Sequence, residues 1–409
     1  MTNVEKNNKI KEACAATRMK RASQSCRVFT CKVQYNHLNR LQRQQLKMMF
    51  VEAKWMYNYV LNLTKNGNNN IFNLKYNDLN NISHLDKDGN VVNVTLNHLS
   101  SQMRQSILEG VLTNIKALAK AKAKGLKIGR LKFISEYKSI NLKQANVSYK
   151  ITSKNRIKVQ GIKKSLKVHG LEQILELSNY DLANAKLINS CGDYYLSITV
   201  YTDKVIKNKP DQIIGIDLGC QTSVTLSDGR KFDCKVAESE YCKYLRSRIS
   251  KCEKYSNNRR RLMKKYRKAN QKAINKKNDF ANKLNHILKD YTVVMQDEQL
   301  QQWSRHRHGK AIQYGILGRI KRLLKTNDNT VVLSKWFPTT KLCTCCGENV
   351  DIKLYQRVFV CPKCGHTEDR DVHASNNMVW LYNNITCVER IHDFAEVKSS
   401  LDVIFPSKP

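Results

Sequence analysis

Ile213-Ile214-Gly215-Ile216-Asp217-Leu218-Gly219 is an apolar strand that carries one carboxylate, set beside a glycine. A run of this kind puts an acid at the end of a buried strand, with backbone room next to it for a metal ion or a phosphate. Alone it fits a metal-binding RNase H-like nuclease, the first phosphate loop of an actin-like ATPase, or an Asp that merely ends a strand in a turn. Two further stretches place acids alike. Thr292-Val293-Val294-Met295-Gln296 is an apolar strand running into Asp297-Glu298-Gln299-Leu300, and Asp369-Arg370-Asp371 precedes a helix from Val372 to Leu381 that carries Asn376 and Asn377. Carboxylates at two strand ends and one helix start can converge on a point although they are far apart in sequence. Hard oxygen ligands that leave coordination positions open suit Mg²⁺ on a phosphodiester. Asp371 also suits an N-terminal helix cap, and periodicity does not separate Asp297 from Glu298. Around these stretches strands alternate with helices: a turn at Ser227-Asp228-Gly229, helices over about 239–289 and 309–325, and a strand at 331–334. That order predicts an α/β sheet.

Cys343-x-x-Cys346 is followed, after fourteen residues, by Cys361-x-x-Cys364. Two such knuckles can close four thiolates tetrahedrally on one Zn²⁺, and Gly347 and Gly365 each stand where the chain must turn tightly under the metal. Four protein ligands fill the shell, so this zinc is structural. Cys345 is an extra thiol inside the first knuckle, with the wrong spacing to pair with Cys343 as a chelate.

Across 409 residues, 72 Lys and Arg oppose 34 Asp and Glu, a formal net charge of +38. Self-repulsion makes that costly for a compact chain unless polyanions neutralise it, so nucleic acid is the expected partner. The charge is concentrated. Between Tyr241 and Asp290 there are seventeen Lys or Arg and three acids, with Arg259, Arg260 and Arg261 adjacent and Lys264 and Lys265 close behind. A merely soluble helix interleaves both signs, so contact with phosphates is favoured here over a solvated charged face. With 41% hydrophobic residues and only five Pro, the chain is not a disordered basic tail. It has no run approaching a membrane span and a polar, charged start, which predicts a soluble, cytoplasmic protein without a membrane partner. The fourteen Cys then read as metal ligands and buried thiols in a reducing compartment.

The N-terminal half changes period several times. Residues 1–25 lack hydrophobic periodicity and predict a flexible basic arm. Phe29, Cys31, Val33 and Tyr35 alternate with polar residues as a half-buried strand, after which Leu46, Met49, Phe50, Ala53, Tyr57 and Val60 make one helical face. Asn66 to Asn70 and Asn77 to Asn81 read as loops. Ser100 or Ser101 can cap a helix with the stripe Met103, Ile107, Val111, Ile115 and Leu118 and a lysine-rich end. From Leu131 to about Val168 the alternation is strand-like, and the run Tyr194 to Tyr201 closes a β-rich module with a helical insertion.

In order and spacing the chain resembles TnpB, the RNA-guided endonuclease family of transposons, and its descendants, the compact type V CRISPR effectors. Gly-Ile-Asp-Leu-Gly at 215–219 looks like the family's first RuvC motif, Glu298-Gln299-Leu300 like the second, and Asp371-Val-His-Ala-Ser-Asn-Asn like the third, with the ribbon between the second and third. Phe337-Pro338-Thr339-Thr340-Lys341-Leu342-Cys343 is similar to the ribbon's usual lead-in. His373 and Ser375 depart from the usual Asn and Ala, and Asp297 is an extra acid. The resemblance implies a flexible arm (1–25), then an N-terminal wedge-type β-barrel (26–205) with a helical recognition insertion at about 37–125. An RNase H-like (RuvC) nuclease domain (211–381) would follow, with basic helices 239–289 and an inserted zinc ribbon (337–370), then a tail (382–409). It implies Asp217, Glu298 and Asp371 as catalytic ligands of two Mg²⁺, and Cys343, Cys346, Cys361 and Cys364 on one Zn²⁺; the charge pattern adds nucleic-acid contacts at Arg259, Arg260, Arg261, Lys264 and Lys265. The partners would be a guide RNA and target DNA, duplex and unwound, cut beside a short flanking motif. The alternatives are a CRISPR effector nuclease of the same fold and a nuclease-dead RNA-guided DNA-binding repressor. An actin-like ATPase would need a second phosphate loop, and a generic zinc-ribbon RNA-binding protein would leave the three carboxylates idle.

Overall fold

The computed structural model describes residues 3–65, 69–85, 89–204, 209–305, 308–353 and 355–405 and divides into two compact units, 1–206 and 207–409. The first unit opens on helix α1 (Asn3–Ala22) where the sequence predicts a flexible arm. Its Lys, Ala, Glu and Arg residues are good helix formers, but nearly all its described side chains are exposed, so no apolar stripe announces it. Strand β1 (Gln24–Val33) follows, then α2 (Arg40–Lys65), the hairpin β2 (Asn81–Leu85) and β3 (Val91–Thr95), and α3 (Ser101–Ala123). Asn39 and Gln42 exchange side-chain bonds with each other's backbone N–H and so cap α2, while Ser100 caps α3. The predicted Asn66 to Asn70 loop lies in part outside the described residues.

After α3 come β4 (Ser139–Leu142), β5 (Tyr149–Ser153), β6 (Arg156–Val159), β7 (Leu166–His169), the short α4 (Glu172–Leu175), β8 (Tyr180–Ser190) and β9 (Asp193–Asp203). Seven of these strands form one antiparallel sheet in the order β4-β8-β9-β1-β7-β6-β5. Its core joins Cys31, Val33, Ile140, Leu187, Leu196 and Ile198 to the buried stripes of α2 and α3. The strand expected from Leu131 begins only at Ser139. Instead, Asn58 of α2 clamps the backbone of Ile134, accepting from its N–H at 2.9 Å and donating to its C=O at 3.0 Å. The long β8–β9 hairpin turns through Cys191 (φ 55°) and Gly192 (φ 87°), the left-handed pair that a two-residue turn requires.

The second unit is built on β10 (Ile213–Asp217), β11 (Val224–Leu226) and β12 (Lys231–Phe232), then α5 (Glu240–Ser250), α6 (Asn257–Ile287) and β13 (Thr292–Gln296). Helices α7 (Leu300–Arg305), α8 (Gly309–Tyr314) and α9 (Leu317–Leu324) lead to β14 (Thr330–Leu333). The single helix expected over 309–325 is thus broken, at Gly315. A ribbon with β15 (Val358–Val360) and β16 (Thr367–Asp369) precedes α10 (Arg370–Asn384), and α11 (Phe394–Ile404) ends the described chain. Helix α11 stands where the sequence predicts only a tail; Asp393 and Glu396 close a capping box on it and Val397 is buried. The sheet runs β12-β11-β10-β13-β14, with β10, β11 and β12 antiparallel in turn and β10, β13 and β14 parallel. The strand carrying Asp217 is therefore central, and β13, which leads into Asp297 and Glu298, lies beside it with the same polarity. Among the described residues no helix is long and apolar enough to cross a membrane.

Helix α10 lies on β10 at van der Waals limits. A Cβ on Gly215 would collide with the carbonyl of Ser375. The Ser375 hydroxyl, fully buried, donates within reach of the Thr225 carbonyl at 3.0 Å and the Asp371 carbonyl at 2.9 Å, tying the helix to β11. Gly215→Ala should therefore push α10 off the sheet and cost about 1–3 kcal/mol, read as a lowered denaturant midpoint, with Asp371 displaced in the same variant.

Candidate active site and metal centre

Asp217 ends β10 half-buried, Glu298 follows β13, and Asp371 sits in the first turn of α10. Asp371 and Glu298 both stand near enough for their charges to act on Asp217. Burial first, then the negative charge of Asp371, then that of Glu298, push the Asp217 carboxyl up to about 7, with Arg370 pulling the other way. The helix cap is Asp369, whose Oδ1 accepts from the N–H groups of Asp371 and Val372 at 3.1 Å each. Asp371 is thereby free of the capping role and turns its carboxylate to Arg370 at 3.1 Å and Arg357 at 3.9 Å.

The neighbouring acids Asp297 and Glu298 have different surroundings. Asp297 forms ion pairs with Lys321 of α9 and Lys325 just after it, both at 2.7 Å, which hold its carboxyl below the ordinary range although burial alone would raise it. Glu298 is pushed up by burial, against the pull of Lys321. Of the two, Glu298 is the one whose charge reaches Asp217. Three hard carboxylates converging, with one driven toward neutrality by burial and by the charges of the other two, are a donor set that fits Mg²⁺. Their oxygens are not drawn as close together as the cysteine thiols.

Those thiols are tight. Cys343, Cys346, Cys361 and Cys364 bring their sulfurs within 4.8 Å of one another, with Cys343 to Cys364 at 3.6 Å and Cys346 to Cys361 at 3.5 Å. Thiolates on one Zn²⁺ at about 2.3 Å stand about 3.8 Å apart at the corners of a tetrahedron. Gly347 and Gly365, both at φ 75°, return N–H bonds to the carbonyls of Cys343 and Cys361 at 2.8 and 2.9 Å. Cys345 is exposed and outside the cluster.

Two buried amides fasten this centre to the sheet. Gln296, the last residue of β13, donates to the carbonyls of Ser334 and Phe337 and accepts from Thr339. Asn377 of α10 donates to the carbonyls of Thr339 and Leu342 at 2.7 Å each. Gln296 reads in the sequence only as the polar end of a strand, and its role becomes visible only in the fold. His373 is buried, stacked 3.7 Å over Phe359, and donates toward the Leu342 carbonyl at 2.9 Å; burial holds its imidazole below the ordinary range.

Among the basic helices one cation is set apart. Arg259 does not stand with the exposed cations: from the first turn of α6 its guanidinium donates to the carbonyls of Ile249 (2.6 Å), near the end of α5, and Cys252 (3.3 Å), just beyond it. Arg260, Arg261, Lys264 and Lys265 are exposed.

Residues 319–378, from α9 through the ribbon into α10, match the family model of the Cas12f1-like TNB domain. A candidate RNA-guided DNA endonuclease of Streptomyces pristinaespiralis is 28% identical over 182 residues, 41% of this chain and 44% of that protein. A candidate RNA-guided DNA endonuclease InsQ of Escherichia coli (strain K12) is 24% identical over 230 residues, 48% of this chain and 56% of the relative. The alignments thus span about half the length of these curated relatives. A chain from a cryo-EM structure of the Cas12f1-sgRNA-target DNA complex aligns over 87% of this chain and 98% of its own, at 12% identity and a TM-score of 0.24, too low to bear argument. The domain match and the two relatives bear out the resemblance to the TnpB family.

A structural zinc site contributes its binding energy to folding. Cys346→Ser should lose about one zinc per chain and lower the melting temperature, whereas Cys345→Ser should keep both zinc and stability, measured by metal analysis and calorimetry.

Proposed function

We propose that the protein is an RNA-guided DNA endonuclease of the TnpB type. Its second unit would be an RNase H-like (RuvC) nuclease in which Asp217, Glu298 and Asp371 are the catalytic ligands. The observation that carries this reading is the convergence of three carboxylates from separate elements: Asp217 at the end of β10, Glu298 just after the parallel neighbour β13 and Asp371 in the first turn of α10, with burial first and then the charges of Asp371 and Glu298 raising the Asp217 carboxyl. Its support is the strand order with Asp217 on the central strand, and the names of the two relatives. Mg²⁺, when bound, supplies Lewis acidity toward the scissile phosphodiester and lowers the pKa of a bound water. The chain's own residues hold and orient. Asp217 enters from the sheet, Glu298 from the end of β13 and Asp371 from the helix, while the two lysines on Asp297 keep that acid occupied elsewhere. Arg370, ion-paired to Asp371, is placed to release a cation's worth of charge to an entering phosphate.

The guide RNA and target DNA would be met by the exposed cations of α6, with Arg259 kept for the α5–α6 junction. The first unit would serve as the wedge and recognition modules, reading the motif that flanks the target.

Asp217→Ala or Asp371→Ala should abolish cleavage of guide-matched DNA while RNA binding stays nearly unchanged. Glu298→Gln should be inactive and Asp297→Asn active, assayed on guide-loaded complex in Mg²⁺. Cleavage by Asp371→Ala at the wild-type rate would overturn the assignment, and the reverse result for the adjacent acids would move the ligand by one residue.

Alanine at Arg260, Arg261, Lys264 and Lys265 should shallow the dependence of log affinity on log salt by about 0.7 to 0.9 for each phosphate no longer neutralised, equally for unrelated target sequences. Arg259→Ala should instead lower the melting temperature and leave the salt slope as it is. Both are read by RNA binding across a salt series and by thermal melts.

A further inference from the structure

His366, Glu368 and His373 meet between the second knuckle of the ribbon and the first turns of α10. Their ligand atoms all lie within 4.8 Å of one another, with His373 Nδ1 3.2 Å and His366 Nε2 3.6 Å from the same oxygen, Oε2 of Glu368. Nε2 of His373 is held on its far side, 2.9 Å from the Leu342 carbonyl and 3.0 Å from the Asn377 amide nitrogen, which leaves Nδ1 as the ring atom that faces the carboxylate. His366 brings a second imidazole nitrogen to the same oxygen, so three side chains from separate places converge on one point.

We propose that these three side chains bind a second divalent cation of the zinc class, separate from the four-thiolate site and from the carboxylate cluster. Nitrogen and oxygen ligands about 2.1 Å from a tetrahedral ion stand about 3.4 Å apart, a value between the two distances seen. The outer contacts are those of a metal site as well. Asn376 donates to the other oxygen of Glu368 at 2.6 Å, leaving Oε2 to face the histidines, and the Leu342 carbonyl orients His373 through its second nitrogen. Phe359, paired with Glu368 across β15 and β16, stacks on the His373 ring and fixes its plane. The cation would pin the ribbon's second hairpin to α10 two residues beyond Asp371. In the family resemblance the position of His373 is usually Asn, so this site would belong to chains that carry His there.

The test is metal content of the full chain, reconstituted with zinc, held in excess Mg²⁺ to keep the hard carboxylates occupied, and freed of unbound metal by gel filtration. Wild type should carry two zinc per chain; His366→Ala and Glu368→Gln should carry one, and Asn376→Ala should weaken the second zinc about 10- to 100-fold. Cobalt substitution distinguishes the sites: the four-thiolate ion gives sulfur-to-metal charge-transfer bands, and the second equivalent should add visible absorption without them, absent from His366→Ala. His366 is partly exposed, so its loss should leave the fold intact, checked by retention of the thiolate bands. One zinc in wild type, unchanged in His366→Ala, would show that a proton alone fills the gap and would overturn the proposal.

Discussion

Everything at the candidate site depends on how closely one helix can approach one strand. The Ser375 carbonyl occupies the space that any side chain on Gly215 would need, so the β10–α10 contact exists only because position 215 has no Cβ. The separation of strand and helix fixes where Asp371 stands relative to Asp217, two positions along the strand from the glycine. The same contact is locked laterally. Gly215 exchanges bonds with Ser227, its N–H donating to the hydroxyl at 3.1 Å and its carbonyl accepting at 3.0 Å, and Ser375 reaches Thr225. A buried polar group left unpaired costs about 1–3 kcal/mol, so these bonds resist sliding of the helix along the sheet.

Against that rigid frame the electrostatics run counter to the whole molecule. A chain with a net charge of +38 concentrates carboxylates at one point, and close to them its cations are rationed. Lys321 and Lys325 are taken by Asp297, and Lys231 by Asp369 at 2.7 Å. What remains beside Asp217 is Arg370, too little to offset burial and two acids, and the carboxyl rises to about 7. Long-range positive potential favours polyanions at the surface, whereas the local negative potential would favour a cation at the carboxylates; the two act at different distances and do not cancel.

Much of this was legible in the sequence wherever the determinant was local. Strands β10 and β13 are short apolar runs, the stripe of α3 keeps its period, and the knuckles declare themselves by spacing. What escaped was set by tertiary partners. Strand β8 mixes Asp181, Asn184 and Lys186 into its run because it is only partly buried, so its alternation is faint. Helix α11 is short and owes its place to a capping box and packing on α10's side of the sheet rather than to a strong stripe. Arg259 looks like its two neighbours until the end of α5 is seen beside it. His373 reads only as a departure from a motif, since its partners Leu342, Phe359 and Glu368 come from three separate segments.

The ribbon is therefore not an appendage to the five-stranded sheet. Its lead-in is bound by Gln296, which ends the strand leading to Glu298, and by Asn377, six residues along the helix from Asp371. A zinc knuckle is stiff because its thiolates are fixed in number and angle. A zinc bound there would hold Leu342 and Cys343 in place, and Leu342 in turn holds both Asn377 and His373 through one carbonyl oxygen. Removing the thiolate metal would free that carbonyl, and with it the two side chains that set the rotation of α10. Position of the acids and integrity of the ribbon then become one property, transmitted through a single peptide group.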